Sequence, residues 1–101
     1  MKKILLVLIF LTIARSTFAD SKIELGLEVF NNKAQCGMCH TLQNADSQGQ
    51  IGPDLDELKP SMEQIIATVT NGIGAMPSFE AMLSSEEIEA VSYFVSTSTN
   101  Q

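Results

Sequence analysis

Five consecutive residues, Cys36-Gly37-Met38-Cys39-His40, constrain this chain more than any other feature. They hold both of its cysteines and its single histidine. Cys-x-x-Cys-His is the attachment signature of covalent haem. Two thiols at this spacing can add across the two vinyl groups of one porphyrin. That pins the macrocycle to a short backbone turn and holds the adjacent imidazole beneath the iron. Other uses of the cysteines fit less well. A thioredoxin-like redox pair expects a βαβ context, and half a zinc site lacks its second Cys/His pair. A structural disulfide suits an exported protein, but it would close only a tiny loop. None of these accounts for a histidine directly after Cys39.

The N-terminus bears on export. Met1-Lys2-Lys3 is basic, residues 4–13 are apolar except for Thr12, and Thr17-Phe18-Ala19 places small residues at the minus-three and minus-one positions. This order reads as a secretory signal peptide over residues 1–19, cleaved after Ala19. The alternative is an uncleaved anchor, but a spanning helix needs about 20 apolar residues and this run is roughly half that. The expected mature domain covers residues 20–101, is exported to the periplasm and is not stably inserted in the membrane. Cleavage removes Lys2, Lys3 and Arg15 and takes the formal charge from −6 to −9. Only Lys22, Lys33 and Lys59 then remain as basic side chains. Such a surface repels nucleic acid and anionic lipid and favours partners with basic docking surfaces. The same charge also serves solubility.

A domain of about 80 residues is near the size at which one hydrophobic core barely suffices, and small exported domains add disulfides, metals or cofactors. Helical spacing of Ile23, Leu27 and Phe30 predicts a first helix over residues 21–31, capped by Asp20 or Ser21 and interrupted by Gly26. Ser61 with Gln64, and Ser84 with Glu87, are capping boxes. They open helices expected over residues 61–71 and from 84 to about 96. No segment shows strand alternation, so the fold class expected is all-α. Residues 32–59 lack sustained periodicity yet carry the cysteines and the histidine, which marks a functional stretch.

A six-coordinate haem needs a second axial ligand, and with no other histidine in the sequence methionine is the natural candidate. Met38 lies inside the attachment turn. Met62 starts the second helix and Met82 precedes the last, and both read as core filler. Met76 sits in Gly74-Ala75-Met76-Pro77, where glycine lets the backbone loop over a haem and proline then fixes its direction. Met76 is therefore the expected ligand opposite His40. A Met/His pair raises the reduction potential.

These residues together resemble the small bacterial monohaem members of the class I cytochrome c family. The likeness spans nearly all of residues 20–101. It runs from Gly26 and Phe30 through the attachment motif, Ile51-Gly52-Pro53-Asp54-Leu55 and Asn71-Gly72-Ile73-Gly74-Ala75-Met76-Pro77-Ser78-Phe79, to Tyr93-Phe94. It implies the cytochrome c fold, with three main helices and loops around one covalent haem. It implies that the Pro53 carbonyl receives the other ring N–H of His40, the kind of bond that fixes a ligand's tautomer and orientation. It also implies that Gly26 and Phe30 pack against Tyr93 or Phe94. The lysine ring by which many mitochondrial-type members dock acidic partners is missing here.

The function expected is one-electron transport between a redox donor and an acceptor, with no catalytic residues. Cys36 and Cys39 hold haem c, and His40 and Met76 bind its iron. Ile51, Leu55, Leu58, Ile65, Val69, Ile73, Phe79 and Val91 are candidate wall residues. The rivals are a cytochrome subunit of a periplasmic dehydrogenase or oxidase, a haem sensor with weakly ligated iron, and a haem-free thiol oxidoreductase.

Overall fold

The structure, a computed structural model, describes residues 18–101. Apart from Phe18 and Ala19, the expected signal peptide lies outside them. Helix α1 spans Phe18–Glu28 and runs into a wider π-helical turn over Val29–Lys33. It already includes Phe18, the first described residue, three positions ahead of the expected Ser21. Ile23 and Leu27 lie partly buried against the core, and Phe30 is fully buried.

Past α1 the chain breaks into short pieces. A 3-10 turn holds Cys36–Met38, and strand β1 (Thr41–Leu42) pairs antiparallel with β2 (Ser47–Gln48). The one-turn helix α2 spans Leu55–Leu58. Neither the two-residue strands nor α2 was expected. Two residues cannot display a period of two, and four cannot display one of 3.6. The domain is thus mostly helical with one very small sheet, rather than purely helical.

Helix α3 (Met62–Asn71) and helix α4 (Ser85–Thr99) begin where the capping boxes place them. At α4 the Ser84 backbone N–H donates to Glu87 Oε1 at 2.9 Å and the Glu87 N–H donates to Ser84 Oγ at 3.1 Å. Ser84→Ala removes one half of this exchange and is expected to cost about 1 kcal/mol. Denaturant unfolding of the haem-loaded protein measures it, and an unchanged midpoint would contradict the cap's contribution.

Helix α1 crosses α4, and α3 packs on the same helix. Phe30 and Phe94 meet edge to face at the crossing, with ring centroids 6.0 Å apart and planes at 68°. This is a favoured aromatic geometry. Gly26 allows the close approach, since a Cβ there would stand 2.5 Å from Phe94 Cβ and nearer still to the Ala90 carbonyl oxygen. Phe94, rather than Tyr93, is thus the neighbour of Gly26 and Phe30.

Tyr93 instead lies beneath Lys22, whose Nζ is 5.2 Å from the ring centroid and 2.6 Å from Glu89 Oε1. Lys33 pairs with Glu87 along the same seam. That hydrogen-bonded ion pair holds the Lys33 amine above its ordinary value. The Lys33 bond, followed by the Ser84 backbone N–H, holds the Glu87 carboxyl below its own. No helix among the described residues is long and apolar enough to cross a membrane.

Candidate functional site

The attachment turn is closed by its own backbone. Cys39 N–H and His40 N–H both donate to the Cys36 carbonyl, at 3.1 and 3.0 Å, and Gln35 enters the turn in the left-handed region with φ 52°. The chain beyond β2 then folds back over the turn. Gly49 N–H donates to the His40 carbonyl at 3.2 Å and Gly52 N–H to the Cys39 carbonyl at 2.6 Å. A Cβ at Gly49 would lie 2.6 Å from the Gly37 carbonyl oxygen, and one at Gly52 would lie 2.6 Å from His40 Cε1. Glycine is thus required at both points for the returning chain to lie flat on the turn and on the imidazole face.

The His40 ring is held at one nitrogen. Its Nδ1 is 2.8 Å from the Pro53 carbonyl oxygen. A carbonyl only accepts, so the proton sits on Nδ1 and the lone pair on Nε2 stays available to a metal. Asp54, next to Pro53, caps α2 by accepting the Asp56 N–H at 2.9 Å, with the Glu57 N–H at 3.4 Å. Sequence reasoning overlooked this cap, although an aspartate before Leu-Asp-Glu is a helix-start signal.

Cys36 and Cys39 are free thiols, each partly buried. Burial pushes the Cys36 thiol up to about 11, against the opposing effect of a backbone hydrogen bond. A thiol protonated at neutral pH is the opposite of the activated thiolate that disulfide exchange needs. Among the described residues no three His, Cys, Asp or Glu side chains gather into a set able to hold a bare metal ion.

Met76 lies on the loop between α3 and α4. Gly72, at φ 76°, ends α3, and its N–H donates to the Thr68 carbonyl at 2.7 Å. Ile73 and Met76 exchange backbone hydrogen bonds of 3.0 and 2.9 Å around Gly74 (φ 56°) and Ala75. Ser78 Oγ donates to the Thr70 carbonyl at 2.5 Å and Phe79 N–H to the Val69 carbonyl at 2.9 Å, stitching the loop back onto α3. Met76 is half-buried against the core.

The other methionines differ. Met62 is half-buried, while Met38 and Met82 are 69% and 62% exposed. Met82 therefore does not fill the core. Among the candidate wall residues, Leu55, Ile65, Val69, Phe79 and Val91 are buried, whereas Ile51, Leu58 and Ile73 are exposed on the loops and on α2.

Cys36, Cys39, His40 and Pro53 are thus brought together by one folded-back segment, and Met76 is presented by a separate, tightly bonded loop. Two unbridged thiols beside an imidazole with a free Nε2 suit a covalent iron porphyrin.

Residues 21–95 match the family described as "Cytochrome C oxidase, cbb3-type, subunit III". The chain is 39% identical over 103 aligned positions to "Cytochrome c6" of Nostoc sp. (strain PCC 7120 / SAG 25.82 / UTEX 2576), covering 94% of this chain and 92% of the relative. It is 38% identical over 74 residues to "Cytochrome c6" of Leptolyngbya boryana, covering 69% and 85%. The crystal structure of the c-type cytochrome SorU from Sinorhizobium meliloti superposes with a TM-score of 0.75 at 49% identity, covering 81% of this chain and 95% of that one.

Proposed function

The chain belongs to the cytochrome c family as a small monohaem class I member, an electron-transfer protein with covalently bound haem c, and on that premise we propose that it is a periplasmic one-electron carrier with His/Met axial ligation. Cys36 and Cys39 would form the thioethers, His40 Nε2 and Met76 sulfur would bind the iron, and the three longer helices, α1, α3 and α4, would frame the haem. The observation that carries this reading is the 2.8 Å bond from His40 Nδ1 to the Pro53 carbonyl, made one residue from a free thiol.

The bound haem supplies a one-electron couple. The chain's own residues do the rest. The Pro53 carbonyl keeps the proton on Nδ1, which fixes the tautomer and raises the basicity of Nε2. Met76 as a soft second ligand raises the potential. Were His40 and Met76 both to bind the iron, they would leave it no open position for a substrate, and the haem would supply electron transfer without bond formation. Exposed Ile51, Leu58 and Ile73 would pack against the apolar macrocycle and keep water from it.

Redox partners meet an acidic surface. Two of the three lysines of residues 20–101 are engaged by α4 glutamates, which leaves the balance negative and suits basic docking surfaces. The oxidase-subunit description of the matched family favours a second reading, in which the protein works within a complex. Co-purification with a large redox partner from native membranes or periplasm would select that reading.

The test is expression with haem-attachment machinery, followed by mass and visible spectra. We expect a chain beginning at Asp20 with one haem that survives acid–acetone extraction, recovered in the periplasmic fraction. Cys36→Ala/Cys39→Ala is expected to yield no covalent haem. A colourless parent protein with the mass of the bare polypeptide would overturn the assignment.

A further inference from the structure

Three pairs of residues, each thirteen positions apart, join the segment after the attachment turn to the segment after Gly52. His40 Nδ1–H meets the Pro53 carbonyl at 2.8 Å. Leu42 and Leu55 are both buried in one apolar cluster. The backbone N–H of Gln43 donates to Asp56 Oδ2 at 2.8 Å. The first and third pairs are polar and flank the apolar second, as rungs between two short stretches of chain.

The two stretches differ in how they are held. The one carrying His40 is fixed by the β1–β2 pairing and by the Gly49 N–H on the His40 carbonyl. The one carrying Pro53 leads into α2, a single turn of four residues. A helix of that length has no stability of its own, so its position depends on tertiary ties. Just before Pro53, the Gly52 N–H bond to the Cys39 carbonyl ties the stretch at its near end, and beyond it Leu55 supplies an apolar anchor about which the turn can pivot. The Asp56 carboxylate supplies the directional tie on the far side of Pro53, and hydrogen bonds to a charged acceptor are the stronger kind. With all three in place, the Pro53 carbonyl at the mouth of α2 is held in direction as well as in position.

We infer that Asp56 is a positioning residue for the haem-binding histidine: its bond to the Gln43 N–H holds α2 so that the Pro53 carbonyl sets the plane of the His40 ring. This rests on His40 as the axial ligand. An imidazole can turn about the bond to its metal, and the hydrogen bond at the far nitrogen selects the angle.

Proton NMR of the oxidised, haem-loaded protein reads that angle in the spacing of the haem methyl resonances. Hydrogen exchange at His40 Nδ1 reads the bond to Pro53. Asp56→Ala is expected to re-space the methyl resonances and to speed exchange of the ring proton about tenfold. Asp56→Asn, with a neutral acceptor, should do both to a smaller degree. Glu57→Gln removes the same charge one residue away while leaving the Gln43 bond intact, and should match the parent. Spectra of the Asp56 variants that superimpose on the parent overturn the inference. So does an equal change in Glu57→Gln, which would mark a field effect. If the alanine variant does not accumulate, the asparagine variant decides on the same two readings. His40→Ala separates the premise: a parent-like low-spin spectrum in that variant removes the ligand assignment itself, whatever Asp56 does.

Discussion

Met76→Ala is expected to abolish the thioether-to-iron charge-transfer band of the oxidised protein, lower its reduction potential and give the reduced form rapid carbon monoxide binding near neutral pH. Met82→Ala is expected to leave all three as in the parent. The contrast follows from how the two side chains are presented. Met76 is half-buried against the core and closes a turn whose backbone is bonded at both ends, by the Ile73–Met76 exchange and by the Ser78 and Phe79 bonds to α3. Such a turn returns the sulfur to the same place in both oxidation states, which an electron carrier requires. Met82 is mostly exposed. Pro77 adds to the asymmetry, because its fixed φ restricts the chain directly after Met76.

The three readouts are independent. The band reports the sulfur–iron bond, the potential reports the loss of a soft ligand, and carbon monoxide reports an open coordination position. A half-buried methionine also contributes packing, so a modest loss of stability is expected beside the spectral change. Were the band retained in Met76→Ala and lost in Met82→Ala, the ligand would be reassigned. Retention in both would direct attention to Met62.

The parts of the fold that a sequence reading reached are those with local causes. Ser61 with Gln64, and Ser84 with Glu87, announce helix starts because side chain and backbone satisfy each other within one turn. Gly26 amid a helical apolar face implies a close neighbour, and Ala90 and Phe94 are that neighbour. The candidate site is legible in the same way, since the thiols and imidazole are contiguous in sequence.

What escaped is non-local or too short to have a period. Helix α2 is a single turn placed by Asp54, Asp56 and the burial of Leu55. The pairing of Thr41 with Gln48 and Leu42 with Ser47 depends on the left-handed residue Asp46. Gly49 lies on the attachment turn with no signal of its own. Apolarity likewise does not state a partner. Leu55 and Leu58 belong to one short helix, yet one is buried in the core and the other exposed. The sequence treats Met82 as a hydrophobic residue like any other, and its exposure follows from its place in the turn ahead of α4.

Gly26 is where a single added carbon should do the most to the fold. It lies mid-α1 and fully within the α1–α4 crossing. On propensity alone Gly26→Ala should help, by about 0.8–1 kcal/mol in a helix interior. Packing opposes it. The new methyl would meet Phe94 Cβ at 2.5 Å, the Ala90 carbonyl carbon at 3.0 Å and the Ala90 carbonyl oxygen more closely still. None of these atoms can rotate away, because two are backbone and the third is the root of a ring held against Phe30. Relief requires α1 to move off α4, which loosens the Phe30–Phe94 contact and the Lys22–Glu89 pair together. Overpacking of this kind costs about 1–3 kcal/mol, enough to outweigh the propensity gain.

Gly26→Ala is therefore expected to be less stable than the parent by about 1 kcal/mol, the overpacking cost less the propensity gain. In a domain of this size that lowers the melting temperature by roughly 4–8 °C. Gly26→Leu should prevent accumulation of haem-loaded protein, since a side chain of that volume has no room at the crossing. Thermal unfolding of the matured protein, followed at a haem band and in the far-ultraviolet, measures the first; the yield of covalent haem measures the second. A Gly26→Ala protein as stable as the parent or more so would mean that the helices part without cost, and the crossing would then not be what keeps α1 in register with the attachment turn it leads into.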